Sequence, residues 1–268
     1  INIGNATNGW AFGPEKCERV LPHMSWIRFT VAAGTPEGYA RIMYKGPEHT
    51  EVFDKAMENI RHAVAFKKKH NLSVTIGIQM VLMPEFVDEI IPFSQLGLDL
   101  GVDYAVIKHC SDDETQSLGV DYDEYESMYE LLEKAEAMST SKTKVIVKWD
   151  KIKDKGKHSY SRFYGPAFLL QISGSGLVAP SGMFFNARHS KLHIGDFTTE
   201  RFKDMFNSNR YWRAMNYLAS PSFDAKSHMG ALSIQHYVST TLDNHVKGIK
   251  KIVPPPPSLK EPLHVNFI

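Results

Sequence analysis

The densest group of chemically reactive side chains runs from Lys108 to Asp113 and reads KHCSDD. A cysteine beside a histidine could act as a nucleophile or a metal ligand, because a thiolate needs a nearby base. Adjacent residues on a strand, however, point to opposite faces of a sheet. His109 and Cys110 therefore do not share a site if a strand continues through both. We expect the acidic residues 112–114 to form a solvated loop.

The twelve histidines of the chain raise the question of a zinc site. His189 and His193 have a ligand-like spacing, but no matching pair of cysteines or carboxylates accompanies them. We therefore interpret this spacing as a chance occurrence. The Gly-Ser-Gly segment at 174–176 does not indicate a phosphate loop, because neither a helix start nor a lysine follows it.

Composition limits the function classes. The chain has 268 residues, 43% hydrophobic and 23% charged, with a formal net charge of +1. This charge gives no reason to expect nucleic-acid binding, and no apolar run reaches the roughly 20 residues that span a bilayer. The two cysteines, Cys17 and Cys110, fit a reducing, cytoplasmic setting and are too few for an iron–sulfur cluster. The first residue, Ile1, is not methionine, which suggests a fragment or a processed form.

The first half alternates strand-like and helix-like segments, which predicts βα units and a parallel sheet. A closed eightfold barrel needs about 250 residues, whereas this half has about 150, so we predict a partial barrel or an open sheet. Strands are expected at 1–4, 26–33, 72–82, 104–108 and 145–149. Helices are expected at 14–21, 38–43, 54–69, 84–100 and 122–138.

The character of the sequence changes after residue 150. A basic and polar linker is expected at 151–157, and apolar runs at 167–172 and 177–180 flank the Gly-Ser turn of a β-hairpin. Helices are expected at 202–218 and 231–245, and four prolines at 254–257 begin an extended tail. The predicted organisation is a first domain at 1–150, a second at 151–250 and a tail at 251–268.

Ordered segments of the first half resemble the later strands of the radical S-adenosylmethionine (radical SAM) barrel. Thr7-Asn8-Gly9 is similar to the "TNG" that ends the third strand of that barrel. The order and spacing of the other matching segments hold to about residue 113. They are the fourth strand at 26–31, the turn at 34–39, the helix at 54–60, the fifth strand at 74–84 and the sixth strand at 104–110.

The second half resembles a SPASM extension, which in that family carries further iron–sulfur clusters. Gly176 to Ser181 keeps a G-x4-C spacing with serine in place of cysteine, and Phe163 stands at an earlier cysteine position. Met229 and Ser233 stand where a C-x3-C pair would lie. The resemblance thus implies a small α+β SPASM-like domain that lacks these cluster ligands.

The resemblance implies SAM and a [4Fe–4S] cluster as the family's cofactors. The strand ends of that barrel contact SAM. For Gln79 a buried core amide remains the alternative. The residues implied to bind SAM are Thr7, Asn8, Thr30, Gln79, Lys108, His109 and Cys110.

The family's reaction is reductive cleavage of SAM followed by hydrogen abstraction from a peptide or a small metabolite. The CxxxCxxC loop and the glycine-rich motif of the first two strands are not in this sequence. The expected form is therefore a truncated or inactive radical SAM/SPASM chain. One alternative is a non-catalytic binding or scaffold remnant, and another is an unrelated βα-barrel enzyme that uses Lys108 or His109 as acid or base.

Overall fold

The computed structural model describes residues 2–112, 115–206, 208–226, 233–254 and 256. The chain divides into two compact units. The first includes residues 1–110 and 121–155, and the second includes residues 111–120 and 156–259. The second unit has a hydrophobic core of its own.

A parallel sheet forms the centre of the first unit, as the alternation of segments predicts. In the described part of the chain it has five strands, which lie side by side in sequence order. The third strand is buried on both faces, as its run of β-branched and apolar residues requires. The strands are β1 (Gly4–Thr7), β2 (Trp26–Thr30), β3 (Thr75–Leu82), β4 (Tyr104–His109) and β5 (Lys144–Val147).

Helices connect the strands of this unit. Two helices that we predict as continuous each begin with a separate 3-10 turn, at Pro84–Glu89 and Glu124–Met128, and Phe86 has non-helical backbone angles. A short helix occupies the first residues of the predicted linker at 151–157, whereas the boundary between the two units falls within that linker, after Lys155. The helices are α1 (Pro14–Val20), α2 (Pro36–Tyr44), α3 (Thr50–Lys69), α4 (Ile90–Leu100), α5 (Tyr129–Ala137) and α6 (Trp149–Lys153).

The two faces of the sheet differ in chemistry because side chains alternate along each strand. A Cβ added to Gly97 of α4 would lie 2.6 Å from the Ala105 Cβ and 3.5 Å from Ile78, so α4 packs closely on the face that carries these apolar residues. The opposite face, here called the inner face, includes Arg28 and Thr30 of β2. Register places Gln79 of β3 and Lys108 of β4 on that same face.

A buried carboxylate fixes the loop that follows β2. Glu89 accepts hydrogen bonds from the backbone N–H of Gly34 (2.9 Å) and of Thr35 (3.2 Å), and from the Thr35 hydroxyl (3.0 Å). Thr35 in turn caps α2 by accepting a bond from the Gly38 N–H at 3.0 Å. Neither Gly34 nor Gly38 leaves room for a Cβ, because Phe93 and Glu89 lie too close. Glu89 therefore couples the end of β2 to the start of α2.

Replacing Glu89 with glutamine removes the charge that strengthens these hydrogen bonds. We expect the free energy of unfolding to fall by about 2 kcal/mol, the range for hydrogen bonds to charged groups. Urea denaturation monitored by circular dichroism measures the loss. The matched control is Glu85→Gln, because Glu85 lies in the same 3-10 turn and is exposed. Equal stability of the two variants would contradict this role.

The second unit combines a small sheet with helices. Gln171–Ile172 and Leu177–Ala179 (β6 and β7) pair antiparallel, which confirms the predicted hairpin, and Gly195–Asp196 (β8) pairs with β7. The helix predicted at 202–218 is two helices, because the Ser208 hydroxyl accepts a bond from the Tyr211 N–H and caps the second one. The helices are α7 (Phe202–Phe206), α8 (Asn209–Leu218) and α9 (Ser233–Val246). The predicted tail lies largely outside the described residues.

Candidate functional site

Four cationic side chains gather at the inner face, from the middle of β2 to the carboxyl ends of β4 and β5. Arg28 and Lys108 lie on the inner face, and Lys148 directly follows β5. The Lys148 N–H donates to the Ile107 carbonyl at 2.9 Å, which continues the strand pairing by one residue. Lys151 lies in α6, and all four side chains are half-buried. We call this group the basic cluster.

Burial and like charge both act on the basic cluster. The pKa of Lys108 is lowered to about 8, mainly by burial and additionally by the nearby charges of Lys151, Arg28 and Lys148, while Cys110 opposes the change. The environment therefore disfavours the positive charge that Lys108 carries.

Burial lowers the pKa of Arg28, and both burial and like charge act on the other two lysines of the basic cluster. Burial lowers the pKa of Lys148, the charge of Arg28 adds to this effect, and the exposed Asp150 opposes it. Burial lowers the pKa of Lys151, and Lys148 adds to that effect. Among the residues that the structure describes, no carboxylate forms an ion pair within 4 Å with any of the four.

Arg28 is held in a defined position on the inner face. Its guanidinium carbon lies 5.8 Å from the centroid of the Trp26 ring, within the range of a cation–π contact. The Trp26 ring covers Gly4, where a Cβ would lie within 2 Å of the ring. The Arg28 Nε is buried and has no hydrogen-bond acceptor among the described residues. An unpaired buried donor of this kind suits a ligand that brings an oxygen atom.

Two of the residues implied to bind SAM lie beside Arg28. Thr30 and Gln79 are direct partners in the register of β2 and β3, and both lie on the inner face. Gln79 is only 4% exposed. The structure therefore brings together Arg28, Thr30 and Gln79, although the sequence patterns do not single out Arg28. A signal was present, because an arginine inside an apolar strand requires a polar partner.

Thr7 and Asn8 point into their own turn. The Thr7 hydroxyl accepts a bond from the Gly9 N–H, and the Asn8 side chain accepts one from the Trp10 N–H, both at 3.2 Å. Asn59 of α3 donates to the carbonyls of Gly9 (2.8 Å) and Trp10 (3.0 Å). These contacts fix the turn after β1, and Asn59, a buried amide on the apolar face of α3, is a residue that the sequence analysis misses as a support of the site.

His109 and Lys108 lie on opposite faces of the sheet, as alternation requires. His109 is buried on the helix-covered face, where its Nδ1 lies 2.6 Å from the Cys110 carbonyl oxygen. Burial lowers the pKa of His109 to about 4, so the ring is neutral near pH 7. The Cys110 N–H donates to the Leu82 carbonyl at 2.9 Å and to the Tyr125 hydroxyl at 3.2 Å. His109 and Cys110 thus take part in the packing around the ends of β3 and β4.

Asp112 is not part of a solvated loop, in contrast to the sequence-based expectation. It is only 2% exposed, and its carboxylate accepts bonds from the N–H groups of Leu118 (3.0 Å) and Val120 (3.2 Å). A single carboxylate thereby satisfies two backbone donors and holds this loop closed. Residues 113 and 114 lie outside the described part of the chain.

Two of the four positions that resemble lost cluster ligands lie in the core of the second unit. Phe163 stacks on Tyr160, with ring centroids 5.9 Å apart, and on Phe223 at 6.1 Å. Ser181 is fully buried, and its hydroxyl has no hydrogen-bond partner among the described residues. Met229 and the side chain of Ser233 lie outside the described residues.

The residues of this chain do not fit a [4Fe–4S] cluster. The sequence contains two cysteines, both buried, whereas such clusters take four thiolates in most proteins. Burial raises the pKa of Cys17 to about 11, which favours the thiol over the thiolate that binds iron. Within the described ranges, no group of three or more histidine, cysteine or acidic residues is arranged to hold a metal. His193 lies instead 2.7 Å from the Phe184 carbonyl oxygen through its Nε2.

Comparison with solved structures identifies the fold. SuiB from Streptococcus suis matches 81% of this chain with a TM-score of 0.55 at 10% sequence identity. Its complex with S-adenosylmethionine matches 81% with a TM-score of 0.57 at 11% identity. Its complex with the precursor peptide SuiA matches 87% with a TM-score of 0.57 at 10% identity.

These matches show that the chain shares its fold with the matched part of SuiB. This chain spans about half the length of SuiB, 51% to 58% in the three structures. No protein-family model matches the sequence, and no curated protein matches it either. Among the described residues, no helix is long and apolar enough to cross a membrane.

The variant Lys108→Met tests whether the positive charge of Lys108 destabilises the folded protein. The folded protein disfavours the Lys108 charge, so its removal should raise the free energy of unfolding near pH 7. This gain should shrink as the pH rises from about 8 toward 10.5, because the wild-type lysine then loses its proton in the folded state first. Urea unfolding of both proteins at several pH values measures the difference. A gain that does not change with pH would contradict the assignment.

Proposed function

We propose that this chain binds S-adenosylmethionine on its inner face, as part of an enzyme of the radical SAM type that acts on a peptide or a small metabolite. The observation that carries the proposal is the buried, unpaired Nε of Arg28 on the inner face, beside Gln79 and beside Thr30 at the carboxyl end of β2. Ligands of βα barrels bind at this end of the strands. SuiB, which has the same fold, has been solved with S-adenosylmethionine and with its precursor peptide, and this supports both kinds of ligand.

The polar groups on the inner face match those of SAM. The Arg28 guanidinium suits the carboxylate, because its fork of donors can bind two oxygens at once. Thr30 and Gln79 offer a hydroxyl and an amide to the ribose hydroxyls. Backbone groups near Lys108 to Cys110 remain the proposed contact for adenine, whereas the fixed turn at Thr7 and Asn8 shapes the edge of the site. We infer that the His109 side chain contributes by packing.

SAM supplies hydrogen-abstraction chemistry when a reduced [4Fe–4S] cluster cleaves it. The residues of this chain do not fit that cluster, so the role proposed for them is to bind and orient SAM and the substrate. The second unit, by this proposal, is a SPASM-like domain in which an aromatic core around Phe163 stands in place of a cluster. Packed rings can stabilise a small domain through apolar burial instead of metal coordination.

A second candidate function is a non-catalytic module that keeps the fold and binds ligand without cleaving SAM. The observation that favours it is the loss of thiol chemistry: both cysteines are buried, and Phe163 and Ser181 stand at cluster-ligand positions. The two candidates share SAM binding and differ in whether iron is needed elsewhere. SAM binding and iron content therefore test different parts of the proposal.

Isothermal titration calorimetry with SAM tests the binding function. We expect the purified chain to bind SAM without added iron, and Arg28→Gln to weaken the affinity by about tenfold or more, since a hydrogen bond to a charged group contributes about 1.5–3 kcal/mol. The control is Arg61→Gln, which changes the net charge equally at an exposed position of α3. No SAM binding by the wild type, or equal affinities of the two variants, would refute the proposal.

Anaerobic reconstitution with iron and sulfide tests whether the cysteines of this chain can hold an iron–sulfur cluster. We expect the chain to retain no iron after desalting and to show no cluster absorbance near 400 nm, because two buried thiols cannot replace a set of thiolates. The untreated protein serves as the blank. A radical SAM enzyme with a reconstituted [4Fe–4S] cluster serves as the positive control. Stoichiometric iron in the desalted chain would contradict the claim that its two cysteines cannot hold a cluster.

A further inference from the structure

Three members of the basic cluster lie away from Arg28 in the chain and form a group of their own, here called the lysine triad. Lys108 is next to last in β4, Lys148 directly follows β5, and Lys151 lies in the first turn of α6. The segment from 148 to 151 lies against β4, since the Lys148 N–H donates to the Ile107 carbonyl at 2.9 Å and α6 contacts β4. Two neighbouring strand ends and the following helix thus bring the three ammonium groups together.

The lysine triad lowers the stability of the folded protein. Each side chain is half-buried, and each ammonium group lies near at least one other member with the same charge. Among the described residues, none of the three forms an ion pair within 4 Å, while Lys67 and Lys155 elsewhere in this unit each contact a carboxylate. The exposed Asp150 and the buried Cys110 are the groups that oppose the like charge. Packing alone does not explain this arrangement, because an apolar side chain would fill the same space at a lower cost.

A ligand with several negative charges would offset this cost. An ammonium group is a compact point charge with three donors, and lysines are common partners of phosphate for this reason. A single carboxylate would balance one lysine and leave two uncompensated. A phosphate or diphosphate group offers enough oxygens and enough charge for all three.

We propose that the lysine triad binds the phosphate or diphosphate group of a small-molecule substrate at the inner face. The proposal rests on the proposed function in so far as a substrate occupies that face. Arg28 remains the proposed partner of the SAM carboxylate, so the proposal places two anionic groups side by side on the inner face. Of the two substrate classes expected from the sequence, the triad favours a phosphorylated small metabolite over a peptide.

Inorganic pyrophosphate is the probe for calorimetry, in buffers of constant ionic strength adjusted with potassium chloride. We expect the wild-type chain to bind it and Lys148→Gln/Lys151→Gln to lose affinity by about a hundredfold, about tenfold for each charged partner removed. The control is Lys68→Gln/Lys69→Gln, which makes the same change in net charge at the exposed end of α3 and should bind as the wild type does. No binding by the wild type, or an equal loss in the control, would overturn the proposal.

A stability measurement and one further variant keep this test independent of folding. The double glutamine variant removes repelling charges, so we expect its thermal midpoint to equal or exceed that of the wild type. Lys148→Arg/Lys151→Arg keeps both charges and should retain pyrophosphate binding within about tenfold. Loss of binding in the arginine variant with an unchanged thermal midpoint would contradict a charge-based site.

The pH dependence tests the participation of Lys108. Sulfate is the probe because its charge does not change between pH 7 and pH 9, and Lys151, Arg28, Lys148 and Cys110 are the charged or titratable groups that face Lys108. Anions bind the protonated amine, so wild-type affinity should fall as the pH rises through the Lys108 pKa of about 8. Lys108→Gln should bind sulfate more weakly and lose this step. The same step in the variant would exclude Lys108 from the site.

Competition for the pyrophosphate site and titration with SAM distinguish a failure of this inference from a failure of the proposed function. If a hexaglutamate peptide displaces pyrophosphate at lower concentration than a small phosphate ester does, the triad selects acidic peptide and the phosphate proposal fails. If SAM binds but pyrophosphate does not, this inference fails and the proposed function stands. If pyrophosphate binds at the triad but SAM does not bind, the phosphate site is supported and the SAM-binding function fails.

Discussion

The alternation of side chains across a parallel sheet is the constraint on which the rest of the molecule depends. Register fixes which residues of neighbouring strands share a face, so one register decides the position of every functional side chain at once. It places Phe29 and Ile78 under the helices and Arg28, Gln79 and Lys108 on the inner face. The same rule places Lys108 and His109 on opposite faces, with His109 buried on the helix-covered one.

Stability and binding make opposite demands on the inner face. The helix-covered face contains apolar side chains and polar groups with partners, such as Tyr125, whose hydroxyl donates to the Leu82 carbonyl at 2.5 Å. The inner face and its edge instead hold cations whose pKa values are lowered by burial and, for Lys108 and Lys151, also by neighbouring like charges. Perturbed groups of this kind cluster where proteins bind charged ligands. Unfavourable electrostatics are therefore concentrated on the face that we propose as the ligand-binding surface.

Much of the first unit was predictable because its strands have strong local signals. The apolar run of β3 and the long helix α3 follow from sequence pattern, and adjacent sequence positions correctly predict the opposite faces of Lys108 and His109. The basic cluster was not predictable, because Arg28, Lys108 and Lys148 are far apart in sequence and only the register brings them together. The buried state of Asp112 depends on bonds to a loop several residues later, and α6 begins where polar composition suggests a linker.

The central claim is that the inner face, and not the helix-covered face, is the ligand-binding surface of this fold. A crystal structure of the chain grown with SAM tests it most directly. The account predicts SAM density over β2 and β3, with the carboxylate against the Arg28 guanidinium and the ribose near Thr30 and Gln79. SAM bound on the other face of the sheet, or bound on the inner face without contact to Arg28, would contradict it.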